Sequence, residues 1–354
     1  MNHNIELYAY KYLTKQNFPK SLRKEDYEIM FQIARELLLS GILLKYNEFD
    51  NCDLKDKLRK LNKINILKNL HHLAVLDQIK AKFSENKIPF FLLKGSALEK
   101  TNIFKHNERH YRDIDILVSP KNLEKSYMTL KQIGFKYFNN ESADLAKYLY
   151  KKHHLPPMIN NDGVIVEIHH RATKEKYLKE CFITKNIVNN AVEIDGFFVP
   201  NKKDLIVHAA YHGLLHHSPN HPPNFLYDIY ILLNGDVKML NQAKHDFLLL
   251  KLDTKFNLMK EIFEKAFSNA LDINEMTYLV DKLGLSISKN YIETTNNVMC
   301  FKKKKDKFSF KKIITYLQDI SYYYQVSFLS IRFFKLLIIK FFKNTYHLCY
   351  GSKK

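Results

Sequence analysis

The stretch PFFLLKGSALEKTNIFKHNERHYRDIDILVSP, residues 89–120, sets a Gly-Ser pair after one apolar run and two aspartates inside the next. FFLLK, opened by Pro89 and closed by Gly95, reads as a short buried strand. RDIDILV reads as a second strand, yet Asp113 and Asp115 interrupt it. A carboxylate in a buried strand is costly unless something compensates its charge.

Side chains alternate along a strand, so Asp113 and Asp115 point to one face and Ile114 and Ile116 to the other. Two carboxylates about 7 Å apart along one strand repel each other unless a cation sits between them. Oxygen ligation of this kind suits Mg²⁺, with Mn²⁺ the alternative. A later segment, VIVEIHH, supplies a third carboxylate: Ile165, Glu167 and His169 share one strand face. Three carboxylates can hold two metals about 3.5 to 4 Å apart, which clamp the attacking and leaving oxygens of a phosphoryl-type displacement.

Gly95 lets backbone approach a ligand closely. Ser96 is expected as the N-cap of a short helix, SALEKTNIFK, with Glu99 at capping-box spacing. A helix start favours a phosphate, and Lys94 and Arg112 add positive charge. The plainer readings stay beside these. The aspartates could lie on a solvated edge strand balanced by Arg112 and Lys94, and Glu167 could pair with Arg171 or a nearby lysine.

Around this centre the chain is helical. Residues 25–48 and 55–87 show apolar residues at helical spacing, with Leu70, Leu73, Leu76 and Ile79 on the expected inner face and Asn86 as the stop. Ser119-Pro120 starts a further helix that ends at Gly134, and FKYF follows as a strand. Asn161-Asp162-Gly163 between two apolar runs signals a hairpin, and residues 192–200 a smaller one. From Asn201 onward the pattern is helical again. The expected fold is α+β: a small mixed sheet (residues 89–200) between an N-terminal helical region (1–88) and a C-terminal one (201–354).

The totals are those of a folded chain: 354 residues, 26% charged. The balance is basic, Lys+Arg 56 against Asp+Glu 37, or +19, which favours polyanions such as nucleotides, nucleic acid or anionic lipid. Lysine enrichment of the whole composition is the plainer cause. The scattered Cys52, Cys181, Cys300 and Cys349 read as reduced cytoplasmic thiols, not staples or zinc ligands. No signal peptide and no membrane span are expected.

Gly-Ser, then Asp-apolar-Asp on a strand, then a later acidic strand residue resembles the DNA polymerase β-like nucleotidyltransferases. The resemblance is closest to a bacterial nucleotidyltransferase family within that superfamily. LLKGSAL, YRDIDILV and VEIHHR carry it, with HHLPP before the hairpin and DLIVHAAYHG and FLYDIYILL after it, over roughly residues 60–240. It implies that Asp113 and Asp115 bind metal, that Glu167 is the third carboxylate, aiding metal binding or deprotonating the acceptor hydroxyl, and that Gly95 and Ser96 hold the nucleotide phosphates. An NTP would then donate its NMP group to a hydroxyl of an unknown acceptor: small molecule, peptide, protein or RNA. A fold of this family that has lost turnover and serves as a scaffold at the membrane is the alternative.

Histidines crowd the same region. His169 and His154 can reach the site from the hairpin. His208, His212 and His216 have the i, i+4 spacing of a zinc site, although a polar face lining the cleft is the better reading. Asp228, inside an apolar helix, is expected to pair with a histidine or an arginine. Residues 326–344 form a basic amphipathic pattern with Arg332, Lys335, Lys340 and Lys343 on one arc. Such a helix can lie on an anionic membrane surface or simply pack on the core.

Overall fold

The computed structural model describes residues 27, 31, 34–35, 40–46, 52–104, 108–138, 152–173, 182–216, 224–268, 275, 278–279 and 282–283. The expected helix over 25–48 is therefore described mainly at α1 (Ser40–Tyr46), and the basic segment 326–344 lies outside the described residues. The chain forms two compact units, 1–174 with 182–299, and 175–181 with 300–354; every described residue belongs to the first. Among the described residues no helix is long and apolar enough to cross a membrane.

The architecture is α+β. Seven strands form one mixed sheet: β1 (Phe90–Leu92), β2 (Asp113–Val118), β3 (Lys136–Tyr137), β4 (Met158–Ile159), β5 (Ile165–His169), β6 (Val192–Ile194) and β7 (Phe197–Val199). Their order is β3-β4-β5-β2-β1-β7-β6. DIDILV is thus a central strand. It pairs antiparallel with β1 and parallel with β5, which excludes the solvated-edge reading of its aspartates. The two hairpins form where their turn residues stand: Gly163 has φ +81°, and Asp195 and Gly196 have φ 52° and 75°. These are left-handed conformations that glycine adopts freely.

One face of the sheet carries Phe90, Ile114, Ile116 and Val118, all buried. Phe83 of the long helix α2 (Cys52–Glu85) meets Phe90 edge-on at 5.3 Å, and Phe90 meets Phe197 the same way at 6.2 Å. Edge-to-face contact is the favoured aromatic geometry. α2 stops at Asn86, whose side chain donates to the Lys82 carbonyl, and Lys87 turns left-handed.

Three short-range expectations are corrected. Ser96 is not an N-cap: α3 spans Lys94–Lys100, so its first turn already contains Gly95 and Ser96, and Leu93 caps it without a side-chain bond. Leu93 is extended and donates its N–H to the Asp115 carbonyl (3.0 Å), so the helix starts directly where β1 leaves the sheet. After Ser119, a 3₁₀ turn (Pro120–Asn122) precedes helix α4 (Leu123–Gln132). On α2, Leu70 is 48% exposed; the buried line runs through Leu58, Asn62, Asn65, Asn69, His72, Leu76, Ile79 and Phe83. That line alternates steps of four and three without a break, but its middle is polar.

Beyond the sheet come α5 (Phe182–Asn189), α6 (Lys202–Tyr211), α7 (Asn224–Leu233), α8 (Lys238–Leu249) and α9 (Asp253–Phe267). Asn201 caps α6 by accepting from the Asp204 N–H.

Candidate active site

The register of β2 against β5 builds the site. Asp115 lies opposite Glu167, Asp113 opposite Ile165, and Leu117 opposite His169. Residues paired in register share a face, so Asp113, Asp115, Glu167 and His169 all stand on the face away from Phe90 and Ile116. Asp115 and His169 are buried; Asp113 and Glu167 are half-buried.

Asp115, Glu167 and His169 each offer a donor atom within 4.8 Å of the other two. Among the described residues this is the group with metal-ligand spacing. His169 Nε2 lies 2.7 Å from Asp115 Oδ1 and 3.3 Å from Glu167 Oε2. Lys94 enters the same cluster, its Nζ 2.6 Å from Asp115 Oδ1 and 3.7 Å from Glu167 Oε2. The backbone explains its arrival. Leu93 is bonded to Asp115, and Lys94 follows with φ 47°, a left-handed conformation for a residue with a Cβ.

The charges compensate one another. Burial would raise the Asp115 carboxyl, but Lys94 and His169 outweigh it and hold the group below the usual range. Burial likewise opposes ionisation of Glu167, and the hydrogen bond from His169 and the charge of Lys94 overcome it. His169 would be lowered by burial, yet its bonds to Asp115 and Glu167 raise it toward the imidazolium. Lys94 is raised because Asp115, Glu167 and Asp113 outweigh its desolvation. Asp113 differs: burial and the Asp115 charge together push it up to about 7. One pair along from the close cluster, it is the carboxylate whose charge is least compensated.

The other expected residues fall around this core. His154 forms an isolated bridge with His169, and their rings are 5.1 Å apart; burial and the His169 charge lower its pKa. Ser96 is fully buried and its Oγ has no hydrogen-bond partner. Gly95 is required by packing, since a Cβ there would lie 2.6 Å from Tyr111 Cβ. Arg112 is exposed at the head of β2. His212 opens a π-helical turn, His212–His216, and its ring lies 6.2 Å from that of His208. His208 bonds the Ala172 carbonyl instead (3.0 Å) and is lowered to about 4 by burial and Lys94. Asp228 does pair with an arginine: Arg109 Nε at 2.9 Å.

That pair opens onto a network the sequence did not indicate. The loop before β2 is anchored residue by residue. Glu108 pairs with Lys45, and the Arg109 carbonyl accepts from Asn69 Nδ2 (3.0 Å). His110 Nε2 meets Asn62 Oδ1 (3.1 Å), and the Tyr111 ring lies 5.2 Å from the His72 ring. The polar middle of α2 is therefore the seat of the loop that delivers Arg112 and Asp113.

The family described as uncharacterised nucleotidyltransferase matches residues 24–252, well over half of the chain. Among solved structures, the chain is similar to the antibiotic-resistance factor ANT(2'')-Ia, at 11% identity over 57% of this chain and 99% of that one, with a TM-score of 0.36. It is also similar to JHP933 from Helicobacter pylori, at 14% identity over 61% of this chain and 97% of that one, with a TM-score of 0.32. No curated protein matches it.

Proposed function

Since the chain belongs to the family of uncharacterised nucleotidyltransferases, we propose that its nucleotidyl transfer is metal-dependent and runs on the β2–β5 face. The observation that carries this is Asp115 placed opposite Glu167 in register, with Asp113 on the same face. The donor set suits a hard cation: two carboxylate oxygens within 4.8 Å of each other, already compensated by the Lys94 ammonium. Asp113, Asp115 and Glu167 would hold Mg²⁺, singly or as a pair, or Mn²⁺ in its place, and the metal would supply positive charge against the triphosphate.

In the reaction an acceptor hydroxyl oxygen bonds to the α-phosphorus of an NTP. The bond from that phosphorus to the bridging oxygen breaks, pyrophosphate leaves with the electron pair, and the hydroxyl proton passes to Glu167 or to solvent water. Positioning and charge neutralisation account for most catalysis of this type. In this reading Lys94 and Arg112 meet the phosphates, with Gly95 and Ser96 behind them in the first turn of α3. His169 is a positioning residue, since its Nε2 donates to Asp115 and Glu167 together. Glu167 serves as a metal ligand or takes the acceptor's hydroxyl proton. In this reading the helices from Asn201 onward would shape the acceptor side, with His154, His212 and Asp228 as its candidate residues.

The test is transfer of label from each α-labelled NTP, with Mg²⁺ or Mn²⁺, to any acceptor in a lysate of the source cell. Metal-dependent transfer that disappears in an Asp113→Asn/Asp115→Asn variant is expected. The Lys94 ammonium between the carboxylates favours a second reading, a silent fold with an internal counter-ion and a scaffold role. No transfer, together with no metal-dependent NTP binding by calorimetry, would select it.

A further inference from the structure

Lys94 stands where a cation is needed. Its ammonium contacts Asp115 at 2.6 Å and Glu167 at 3.7 Å, two of the three groups with metal-ligand spacing. A metal drawn to those oxygens meets a resident positive charge, and the two repel at close range. The lysine is placed there by the backbone: the Leu93 N–H bond to Asp115 and the left-handed φ of Lys94 fix the origin of its side chain. Its departure is costly unless it finds another anionic partner, because a largely buried ammonium without one is unfavourable, so only saturating metal displaces it unaided.

We propose that Lys94 is a built-in counter-ion that guards the metal site: it holds the cation position between Asp115 and Glu167 and yields it when a triphosphate offers the ammonium a second partner. This rests on the metal-dependent reading above. Free metal then binds weakly, metal and nucleotide load together, and the site stays ordered while empty of both. The lysine is thus a positioning residue for two carboxylates in one state and a phosphate contact in the other.

The experiment measures Mn²⁺ binding by electron paramagnetic resonance, with and without a mixture of α,β-methylene ribonucleoside triphosphates. Without nucleotide, Lys94→Met is expected to bind Mn²⁺ about tenfold or more tighter than wild type, as removal of a like charge from a close pair implies. Lys94→Arg keeps the charge and should keep the weak affinity. Thermal melting adds a second readout: Mn²⁺ alone should raise the Tm of Lys94→Met more than that of wild type. In the wild-type chain, saturating Mn²⁺ without nucleotide should increase acylation of Lys94, read by mass spectrometry, and this needs no variant. Equal Mn²⁺ affinity in Lys94→Met and wild type, with wild type binding Mn²⁺ normally in the presence of the analogues, would overturn the counter-ion and leave the metal-dependent reading standing. Absence of Mn²⁺ binding in every protein, with or without nucleotide, would overturn both.

Discussion

Two of the buried polar clusters among the described residues treat histidine in opposite ways. On the β2–β5 face, His169 is fully buried yet raised, because Asp115 and Glu167 sit within hydrogen-bond reach. Under α2, His72 and His110 are also buried and both are lowered to about 4; burial dominates and no carboxylate offsets it. The first cluster is built from full charges that balance only as a set. The second joins amides, rings and carbonyls to two ion pairs that are each closed on themselves, Lys45 with Glu108 and Arg109 with Asp228. A set of charges that balances only as a group can exchange one cation for another, whereas closed pairs have no carboxylate to spare for a ligand. That difference separates the region suited to bind a ligand from the region that holds it in place.

The sharpest way to break the contrast is Glu167→Gln. The amide still accepts from His169, and its site is only half-buried, so the fold should keep its stability. The lost negative charge should lower label transfer by on the order of 10³, the scale of removing one group that meets charge in the transition state. A steady-state assay beside a urea titration separates the two effects. A variant that loses stability and keeps activity would reverse the roles of the two clusters.

Asp228→Leu probes the frame instead. Arg109 would keep its bond to the His110 carbonyl but lose both bonds to the carboxylate. Removing one partner of a buried pair costs about 3 kcal/mol, and a urea titration should show it. Adding Arg109→Met should recover part of that loss. Mn²⁺ binding in the presence of nucleotide should stay at the wild-type value, because strand register and not this loop fixes Asp115 opposite Glu167. A parallel loss of metal affinity would show that frame and site are one cooperative unit.

The division between the clusters also marks how far the sequence could be read. Strand alternation places Asp113, Asp115, Glu167 and His169 on common faces, and the hairpin signal at Asp162-Gly163 brings the second strand to the first. Those are period-two and turn arguments, and they survive folding because nothing local competes with them. Lys94 is legible as a charge that balances the aspartates, but its seat between Asp115 and Glu167 is not: that position depends on a left-handed φ and on where β1 ends, which no periodicity encodes. The stretch LLKG, a lysine wedged between a buried strand and a glycine, was the available signal. The seat under the loop was missed for another reason. Asn62, Asn65, Asn69 and His72 continue the inward spacing of Leu58 and Leu76, but an apolar pattern search passes over them and promotes Leu70, which is exposed. Gly95 has a second reason to lack a side chain that the sequence does not indicate: a Cβ there would lie 2.6 Å from Tyr111 Cβ.

The smallest effect concerns the neutral histidines and their pH dependence. His72 has a folded pKa of about 4 against 6.5 for an ordinary histidine. The folded state therefore resists protonation and the unfolded chain binds more protons between these values. Stability from this group is present above pH 6.5 and is lost as the pH falls toward 4, with a slope of up to about 1.4 kcal/mol per pH unit. His72→Phe keeps an aromatic ring against Tyr111, and the His72 Nδ1 has no hydrogen-bond partner to lose. Urea titrations at steps between pH 7 and pH 4 should show a shallower fall for the variant, by about 1 kcal/mol per pH unit. His169, raised rather than lowered, contributes in the opposite sense and is untouched by the substitution, so the difference between the two curves isolates the neutral cluster. An unchanged slope would mean that His72 carries a proton in the folded protein, and the contrast between the two buried clusters would then not be one of charge.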